Sequence, residues 1–353
     1  MRTKVLIVGN PRETHVGRHF LKGADAAGID AQIMDLQAAY EGPRWLKSLC
    51  WHLLGKRPQR LAKFSRDVLK QSLHWKPDLV LSTGLAPLSA AALAQLKRSG
   101  ISTANFLTDD PWNPQHLTPS FMRALPLYDH VFSPRRANLA ELNALKGPQV
   151  HYLPFAYAPE IHFAPKPMAA VERQHWASEV LFIGGADAER ATVLRPLVDR
   201  GFKLGLWGGY WDRMADFKAL SKGHADEDAF RRLVVSAGVN LCLVRRANRD
   251  GHSMRTFELA AVGGCLAVED TVEHREIFGH EGECVYYFAS ITDLLALTSK
   301  LLADSAERQR LSTAVRSHII YGGRHTYAAR LETITAVCVA PSPFRDAPAS
   351  TQP

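Results

Sequence analysis

The sequence is poor in the features that mark secreted, zinc-binding or membrane-spanning chains. Its five cysteines are scattered and form no C-x-x-C pair, which argues for reduced thiols and against a zinc site. The first apolar run, residues 5–8, is too short for a signal peptide and is followed by charges. The longest uncharged stretch, 79–96, contains glycine, proline, serine and threonine, so it predicts a strand, a turn and a helix. A cytoplasmic protein is expected.

Acidic residues are scarce between residues 41 and 76, where nine lysines and arginines accompany only two acids. Trp45, Trp51 and Trp75 are interleaved with these cations. Two interpretations stay open: the segment lies peripherally on an anionic membrane or holds a polyanion, or it forms solvated helix faces with long side chains. No nucleic-acid recognition motif accompanies it, so no nucleic-acid partner is expected despite the net charge of +8.

The length of 353 residues and the composition, 46% hydrophobic and 22% charged, are those of a globular protein with two domains. Apolar strands that end in glycine, such as KVLIVG and VLFIGG, alternate with amphipathic helices. This alternation predicts two α/β, Rossmann-like doubly wound domains, at residues 1–165 and 176–335, that face each other across a cleft. A flexible tail is expected at 340–353. Ligands of such sheets bind at the carboxyl ends of the strands.

Two strand ends of the predicted second domain carry glycines. Gly184 and Gly185 lie at a strand-to-helix turn with Arg190 in the first helical turn, a pattern that suits a phosphate but also an ordinary tight turn. The chain has no G-x-G-x-x-G, so a nicotinamide site is unsupported. Gly208 and Tyr210 end another strand, where they would wall a pocket for a base or sugar or only pack in the core.

The stretch RDGHSMRTFELAAVGG, residues 249–264, places three ionisable groups at the start of an apolar helix. The helix N-terminus and Arg255 would hold a diphosphate, Glu258 would accept hydrogen bonds from ribose hydroxyls, and Asp250 would contact a sugar. The alternative is a buried pair between Arg255 and Glu258 that only fixes the helix. The candidate donor-binding residues here are Asp250, Gly251, His252, Ser253, Arg255 and Glu258.

The same stretches resemble a known family. Residues 249–287 are similar to the C-terminal domain of the CgeB-like glycosyltransferases, and FLTDDPW, ALPLYDHVFSPRRANLAEL, YLPFAYAPEIH and HTYAARL are similar to other segments of that family. The resemblance implies the two-domain GT-B fold and a nucleotide-sugar donor, most simply a UDP-sugar, on the second domain. Glu258 falls at the second position of the E-x7-E motif. Asp250 stands at the first, where its shorter side chain is a departure, and Arg190 falls where related enzymes place a diphosphate-binding lysine.

The resemblance also implies the reaction, which is transfer of a sugar to an acceptor hydroxyl on a cell-surface glycan, a glycolipid or a protein. Charge on the leaving diphosphate would be met by Arg190, Arg255 and backbone amides without a metal or other cofactor, and no D-x-D flanked by apolar strands is present. Asp109 or Asp110 would be the base in an inverting transfer, unless they only cap the turn before Pro111.

Four further residues are possible contributors. His15 and Gly17 follow the first strand, and Glu273 with His274 follows a strand of the second domain. Each is also compatible with an ordinary loop position. Two other functions remain open for the whole chain, namely a nucleotide-sugar epimerase or hydrolase on the same fold, and a non-catalytic protein that binds a nucleotide or a glycan.

Overall fold

A computed structural model describes residues 2–339. Two parallel β-sheets form its framework, and the predicted tail at 340–353 lies outside the described residues. The first sheet contains β1 (Lys4–Gly9), β2 (Asp30–Asp35), β3 (Leu79–Thr83), β4 (Ser102–Phe106), β5 (His130–Ser133) and β6 (Gln149–Tyr152). The second contains β7 (Ser178–Ile183), β8 (Leu204–Trp207), β9 (Ala237–Cys242), β10 (Leu266–Glu269) and β11 (Tyr286–Phe288).

Helices cover both sheets. In the first half of the chain they are α1 (Val16–Gly23), α2 (Arg44–His52), α3 (Leu61–Trp75), α4 (Ala90–Arg98), α5 (Pro119–Ala124), α6 (Leu139–Ala144) and α7 (Ala170–Trp176). In the second half they are α8 (Ala188–Asp199), α9 (Glu227–Ser236), α10 (Met254–Val262), α11 (Val272–Phe278), α12 (Ile291–Ala303), α13 (Ser305–Ile320) and α14 (Tyr327–Cys338). Within residues 2–339, none of the helices has both the length and the apolar character needed to cross a bilayer.

The strand order is the same in the two sheets over their first five strands. It is β2-β1-β3-β4-β5-β6 in the first sheet and, read from the other edge, β8-β7-β9-β10-β11 in the second. The order therefore reverses between β1 and β3 and again between β7 and β9. Loops that leave such a switch point diverge to opposite faces of the sheet and open a crevice at the carboxyl ends of the strands. The predicted doubly wound architecture is confirmed.

The two sheets share a buried apolar cluster. It runs from Phe20 of α1 and Phe106 of β4 in the first domain to Phe257 of α10 and Phe230 of α9 in the second. Apolar side chains from both domains are thus removed from water together, which holds the domains in one arrangement. The segment 158–179, which connects the two sheets, contains α7.

The last described helix returns to the first domain. The amide of Tyr327, at the start of α14, donates to the carbonyl oxygen of Tyr157 at 3.0 Å, and the ring of Tyr327 lies edge-on to Phe20, 5.2 Å between centroids. The predicted second domain, 176–335, includes most of α14, whereas these contacts join the helix to α1. Its buried face, with Leu331 and Ile334, covers apolar surface that α1 leaves open.

Candidate functional site

Each switch point carries a cavity. One, of about 300 Å3, lies between the two domains beside the ends of β7 and β9. The other, of about 410 Å3, lies in the first domain beside the ends of β1 and β3. We call them the interdomain cavity and the first-domain cavity. His15 and Asp109 line both, so the two cavities adjoin at these side chains.

The interdomain cavity brings together residues that are far apart in the chain. Those that the sequence analysis identified and that line it are His15, Asp109, Gly184, Arg190, Asp250, Ser253 and Arg255. Arg135, Phe155 and Arg245 line it as well and were not anticipated. Arg135 follows β5 and Arg245 follows β9, so the strand-end rule that selected the other residues would also have selected these two.

Two arginines of the interdomain cavity wall, Arg190 and Arg245, flank the carboxylate of Asp187 behind it. Asp187 caps α8 by accepting from the Arg190 amide at 2.8 Å. Its Oδ2 lies 3.5 Å from Nε of Arg190 and 3.7 Å from Nε of Arg245. Burial lowers the pKa of Arg190, and the charge of Arg245 lowers it further. Together with Arg135 and Arg255, four arginines line the cavity against two carboxylates, Asp109 and Asp250, a balance that suits a polyanion such as a diphosphate.

Arg255 is anchored by the edge of β7 and by Glu258. Its Nε donates to the carbonyl oxygen of Ile183 at 3.1 Å, and its Nη1 pairs with Oε2 of Glu258. Glu258 is fully buried and does not line the interdomain cavity. Glu258 therefore forms a buried ion pair with Arg255, which is the alternative to the ribose contact predicted from the sequence. The pair holds the guanidinium against the cavity wall.

Asp250 forms an ion pair across the domain boundary. Its partner is Arg135, and the side chains are 6% and 2% exposed. Arg135 also donates to the carbonyl oxygen of Thr108 at 2.6 Å. Burial raises the pKa of Asp250, and the arginine counteracts that rise. The first carboxylate of the predicted motif therefore lies on the cavity wall with its charge already partly satisfied by the first domain.

The adjacent carboxylates Asp109 and Asp110 have different surroundings. The Asp110 side chain is 2% exposed and is held by Arg249, whose Nε lies 2.6 Å away, and by Nδ2 of Asn138 at 3.0 Å. Asp109 keeps 32% of its side chain exposed, accepts weakly from Asn248 at 3.3 Å, and lines both cavities. Asp110 lines neither cavity. Only Asp109 is therefore placed to meet a molecule that reaches from one cavity to the other.

His15 and Gly17 lie beside Asp109 at the end of β1. Burial lowers the pKa of His15, and the charge of Arg12 adds to this effect, so the ring is neutral at physiological pH. Gly17 lines only the first-domain cavity. A Cβ on Gly17 would lie 3.0 Å from the Cα of Gly9, so glycine allows α1 to approach β1 closely.

His252, Glu273 and His274 lie behind the cavity and do not line it. Nε2 of His252 accepts from the amide of Phe155 at 3.2 Å, so Nδ1 carries the proton and donates to Oε2 of Glu273 at 2.5 Å. Burial would raise the pKa of Glu273, but the hydrogen bond from His252 leaves it below its usual value. Burial lowers the pKa of His274 to about 4. His252 and Glu273 thus join the domains by accepting from the amides of Phe155 and Arg136, and His274 packs within the second domain behind them.

Four predicted glycine and loop positions lie outside the interdomain cavity. Gly251 packs directly against the Glu273 carboxyl group, where a Cβ would clash. Gly208 has φ of +127° and lies against the backbone of Gly184, an approach that a side chain would prevent. Gly185 and Tyr210 do not line the interdomain cavity. The loop after β8 therefore positions Gly184 and is not itself a wall.

A group of potential metal ligands lies in the domain interface within residues 2–339. It consists of His19, His162 and Glu258, all buried. Nδ1 of His162 accepts from the amide of Ala158 at 3.1 Å, so Nε2 carries the proton and faces Glu258 at 3.7 Å. A metal on Nε2 would require the other tautomer and would oppose two N–H groups at Nδ1. The arrangement fits a buried polar cluster better than a metal site.

Solved structures share this architecture over nearly their whole length. Sucrose-phosphate synthase from Thermosynechococcus elongatus superposes with a TM-score of 0.69 at 12% identity, covering 97% of this chain and 100% of that one. The Anabaena protein HepE in complex with UDP-glucose gives 0.60 at 11% identity, covering 95% and 99%.

The chain has the GT-B fold. A putative UDP-N-acetylglucosamine 2-epimerase from Listeria monocytogenes also shares it, with a TM-score of 0.58 at 13% identity and coverage of 96% and 97%. Residues 190–336 match the model of a family described as glycosyl transferase-like. No curated protein matches the sequence. The matched range begins at Arg190 and contains the α10 region, so it covers most of the second-domain wall of the interdomain cavity.

Proposed function

We propose that this protein is a glycosyltransferase that moves a sugar from a nucleotide sugar to an acceptor hydroxyl. The observation that carries the proposal is the pair of adjoining cavities with Asp109 at their junction. One cavity is lined by three arginines of the second domain, and the other lies in the first domain. A donor and an acceptor can thus approach the same carboxylate from opposite sides.

The donor diphosphate would lie in the interdomain cavity. Arg190, Arg245 and Arg255 supply fixed positive charge, and the N-terminus of α10 adds amides with the same polarity. The Ser253 hydroxyl lines the cavity at the start of α10, where it can donate to a phosphate oxygen. The sugar would then extend towards Asp250. A UDP-sugar is our proposed donor, since HepE was solved with UDP-glucose.

The transfer follows from these positions. The acceptor oxygen forms a bond to the anomeric carbon while the bond from that carbon to the diphosphate breaks. In an inverting transfer the acceptor proton passes to Asp109, whose carboxylate is the exposed one of the two candidates. Negative charge that develops on the leaving diphosphate is met by the three arginines, which are held in place before the reaction. The proposal assigns no step to a metal.

The finer assignments belong to the same proposal. The resemblance to the CgeB-like glycosyltransferases supports a glycan, a glycolipid or a protein as acceptor, and the five free cysteines support a cytoplasmic location. The choice of acceptor depends on the donor site, because an enzyme without a nucleotide sugar in the interdomain cavity would transfer nothing.

Epimerisation or hydrolysis of the nucleotide sugar is the second candidate. The likeness to the Listeria putative epimerase favours it, since that protein has the same fold. The two candidates differ in their need for an acceptor. An epimerase or hydrolase changes the nucleotide sugar when it is the only substrate, whereas a transferase requires the acceptor for efficient turnover.

A thermal-shift screen of UDP-, GDP-, dTDP- and CMP-sugars, followed by product analysis, tests the proposal. We expect a stabilising shift with one class of nucleotide sugar. Arg245→Gln should remove the shift, whereas the neighbouring Arg246→Gln should keep it, because Arg246 pairs with Glu269 and does not line the cavity. No shift with any nucleotide sugar, or complete conversion of a donor without an acceptor, would contradict glycosyl transfer.

A further inference from the structure

The α2 segment exposes large apolar side chains. Trp45, Leu49 and Leu53 recur every four residues and therefore lie along one side of the helix. Trp45 is 70% exposed and Leu53 is 74% exposed. Cys50, on another side, is buried. We call Trp45, Leu49 and Leu53 the α2 face. An apolar face of this kind on an otherwise folded domain indicates an interaction surface.

The charges around the α2 face are of one sign. Arg44, Lys47 and Arg57 are exposed and make no ion pair with any residue between 2 and 339. The two acidic residues of 41–76 form ion pairs elsewhere, Glu41 with Arg60 at 3.0 Å and Asp67 with Lys63 at 2.7 Å. They therefore do not neutralise Arg44, Lys47 or Arg57. The α2 face is thus apolar, and the unpaired charges of the segment that carries it are all cationic.

The same segment forms one wall of the first-domain cavity. Lys47, Trp51, Lys56 and Arg57 line that cavity, which extends to Asp109. Lys56 is fixed there by donating to the carbonyl oxygen of Pro114 at 2.7 Å. Lys47 and Trp51 project from the side of α2 opposite the α2 face, so a surface bound to that face lies within ~10 Å, one helix diameter, of the cavity. The cations that line the cavity would attract a negative group that reaches it from that surface.

We propose that the α2 face docks on an anionic lipid bilayer, and that the first-domain cavity takes the anionic headgroup of a membrane lipid as acceptor. Tryptophan and leucine enter the boundary between headgroups and acyl chains, while lysine and arginine bind the negative surface. A second copy of the chain fits less well, because a symmetric pairing of this face would bring two sets of unpaired cations close together. The headgroup part of the proposal rests on the proposed function, whereas the docking part does not.

Flotation of the full-length protein with lipid vesicles tests the docking. We expect binding to vesicles of equal parts phosphatidylcholine and phosphatidylglycerol and little binding to phosphatidylcholine alone. Trp45→Ser combined with Leu53→Ser should weaken binding at least about tenfold, since both side chains would leave the interface. The matched control is Val171→Ser combined with Tyr321→Ser, which removes two exposed apolar side chains far along the chain and should leave binding unchanged.

Three outcomes overturn the docking proposal. The first is no binding to the anionic vesicles, and the second is equal binding by the α2 variant and the control. The third is concentration-dependent dimerisation in sedimentation velocity that the α2 variant abolishes without any vesicle binding, which would assign the face to a second copy. A melting curve of each variant shows whether the fold is intact, so that loss of binding is not confused with unfolding.

The headgroup assignment has its own readout. Radiolabelled sugar from the donor found in the thermal-shift screen should enter the lipid fraction of the anionic vesicles. Binding to vesicles with a donor shift but without labelled lipid would overturn the headgroup assignment and leave docking standing. Binding to vesicles without any donor shift would instead contradict the proposed function.

Discussion

Replacement of Arg190 by glutamine tests whether the arginines of the interdomain cavity bind the diphosphate of a nucleotide sugar. The Arg190 side chain is only 11% exposed and one of its nitrogens donates to the carbonyl oxygen of Gly185 at 3.0 Å. The guanidinium is therefore held in position before any ligand binds. Arg190→Gln keeps most of the packing volume and removes the charge.

The magnitude follows from the remaining partners. A hydrogen bond from a charged group contributes about 1.5–3 kcal/mol when it is lost. Arg245 and Arg255 remain on the same wall, so the site would lose one of three cations. Because about 1.4 kcal/mol corresponds to a tenfold change in Kd, the affinity for UDP should fall by about tenfold to about one hundred and fifty-fold.

Isothermal titration of UDP into the wild type and the variant measures this change. Arg200→Gln is the matched control, because Arg200 follows the same helix, α8, but is exposed and lies outside the cavity. Its affinity should equal that of the wild type. A loss of less than about threefold in a folded Arg190→Gln protein, or an equal loss in the control, would refute the placement of the diphosphate.

Three further predictions concern Asp109 as the base, the ion pair of Arg249 and Asp110 between the domains, and the buried His19. Asp109→Asn should lower the transfer rate by about 10²–10⁴-fold and leave UDP affinity nearly unchanged in the same titration; transfer at the wild-type rate would exclude Asp109 as the base. Arg249→Met leaves the buried Asp110 without its cation, so we expect a loss of about 2–4 kcal/mol in the free energy of unfolding by urea, and a smaller loss would show that Asn138 suffices. Burial lowers the pKa of His19 to about 3, below its unfolded value near 6.5, so the unfolded chain binds a proton that the folded chain excludes. Stability should therefore fall as pH falls below about 6.5, by about 1.4 kcal/mol per pH unit for this residue, and His19→Phe should show a shallower dependence; identical slopes would contradict the burial argument.

The fold was predictable from local pattern. Apolar strands that end in glycine, followed by amphipathic helices, occur in both halves of the chain, and a parallel sheet is the arrangement that buries such strands on both faces. The return of α14 to the first domain was not predictable in this way. An apolar helix face indicates burial but not which surface covers it, and here α1 supplies that surface.

The site was predictable in part. Position after a strand identified Arg190, Asp250 and Arg255, which the structure brings to one cavity. The same rule could not decide which of Asp109 and Asp110 faces the cavities, because both follow the same strand and their side chains point in different directions. Arg249, in the other domain, holds Asp110 and leaves Asp109 at the junction of the cavities.

Arg255 and Glu258 show the same limit. Their spacing allowed either a ligand site or a buried pair. In the structure Arg255 and Glu258 form the buried pair. Glu258 is fully buried and lies next to His162 of the first domain. This outcome depends on how closely the two domains pack, and sequence spacing within one helix carries no information on that distance.

The sequence by itself determined the class of fold, the two-domain organisation and the strand ends at which polar groups gather, because these depend on periodicity and turn chemistry over a few residues. The tertiary structure decided which of those groups meet. Arg135 satisfies Asp250 and Arg249 satisfies Asp110 across the domain boundary, so both carboxylates are neutralised by residues more than a hundred positions away. Contacts of that range are set by how two separate sheets pack, and only the folded chain contains that relation.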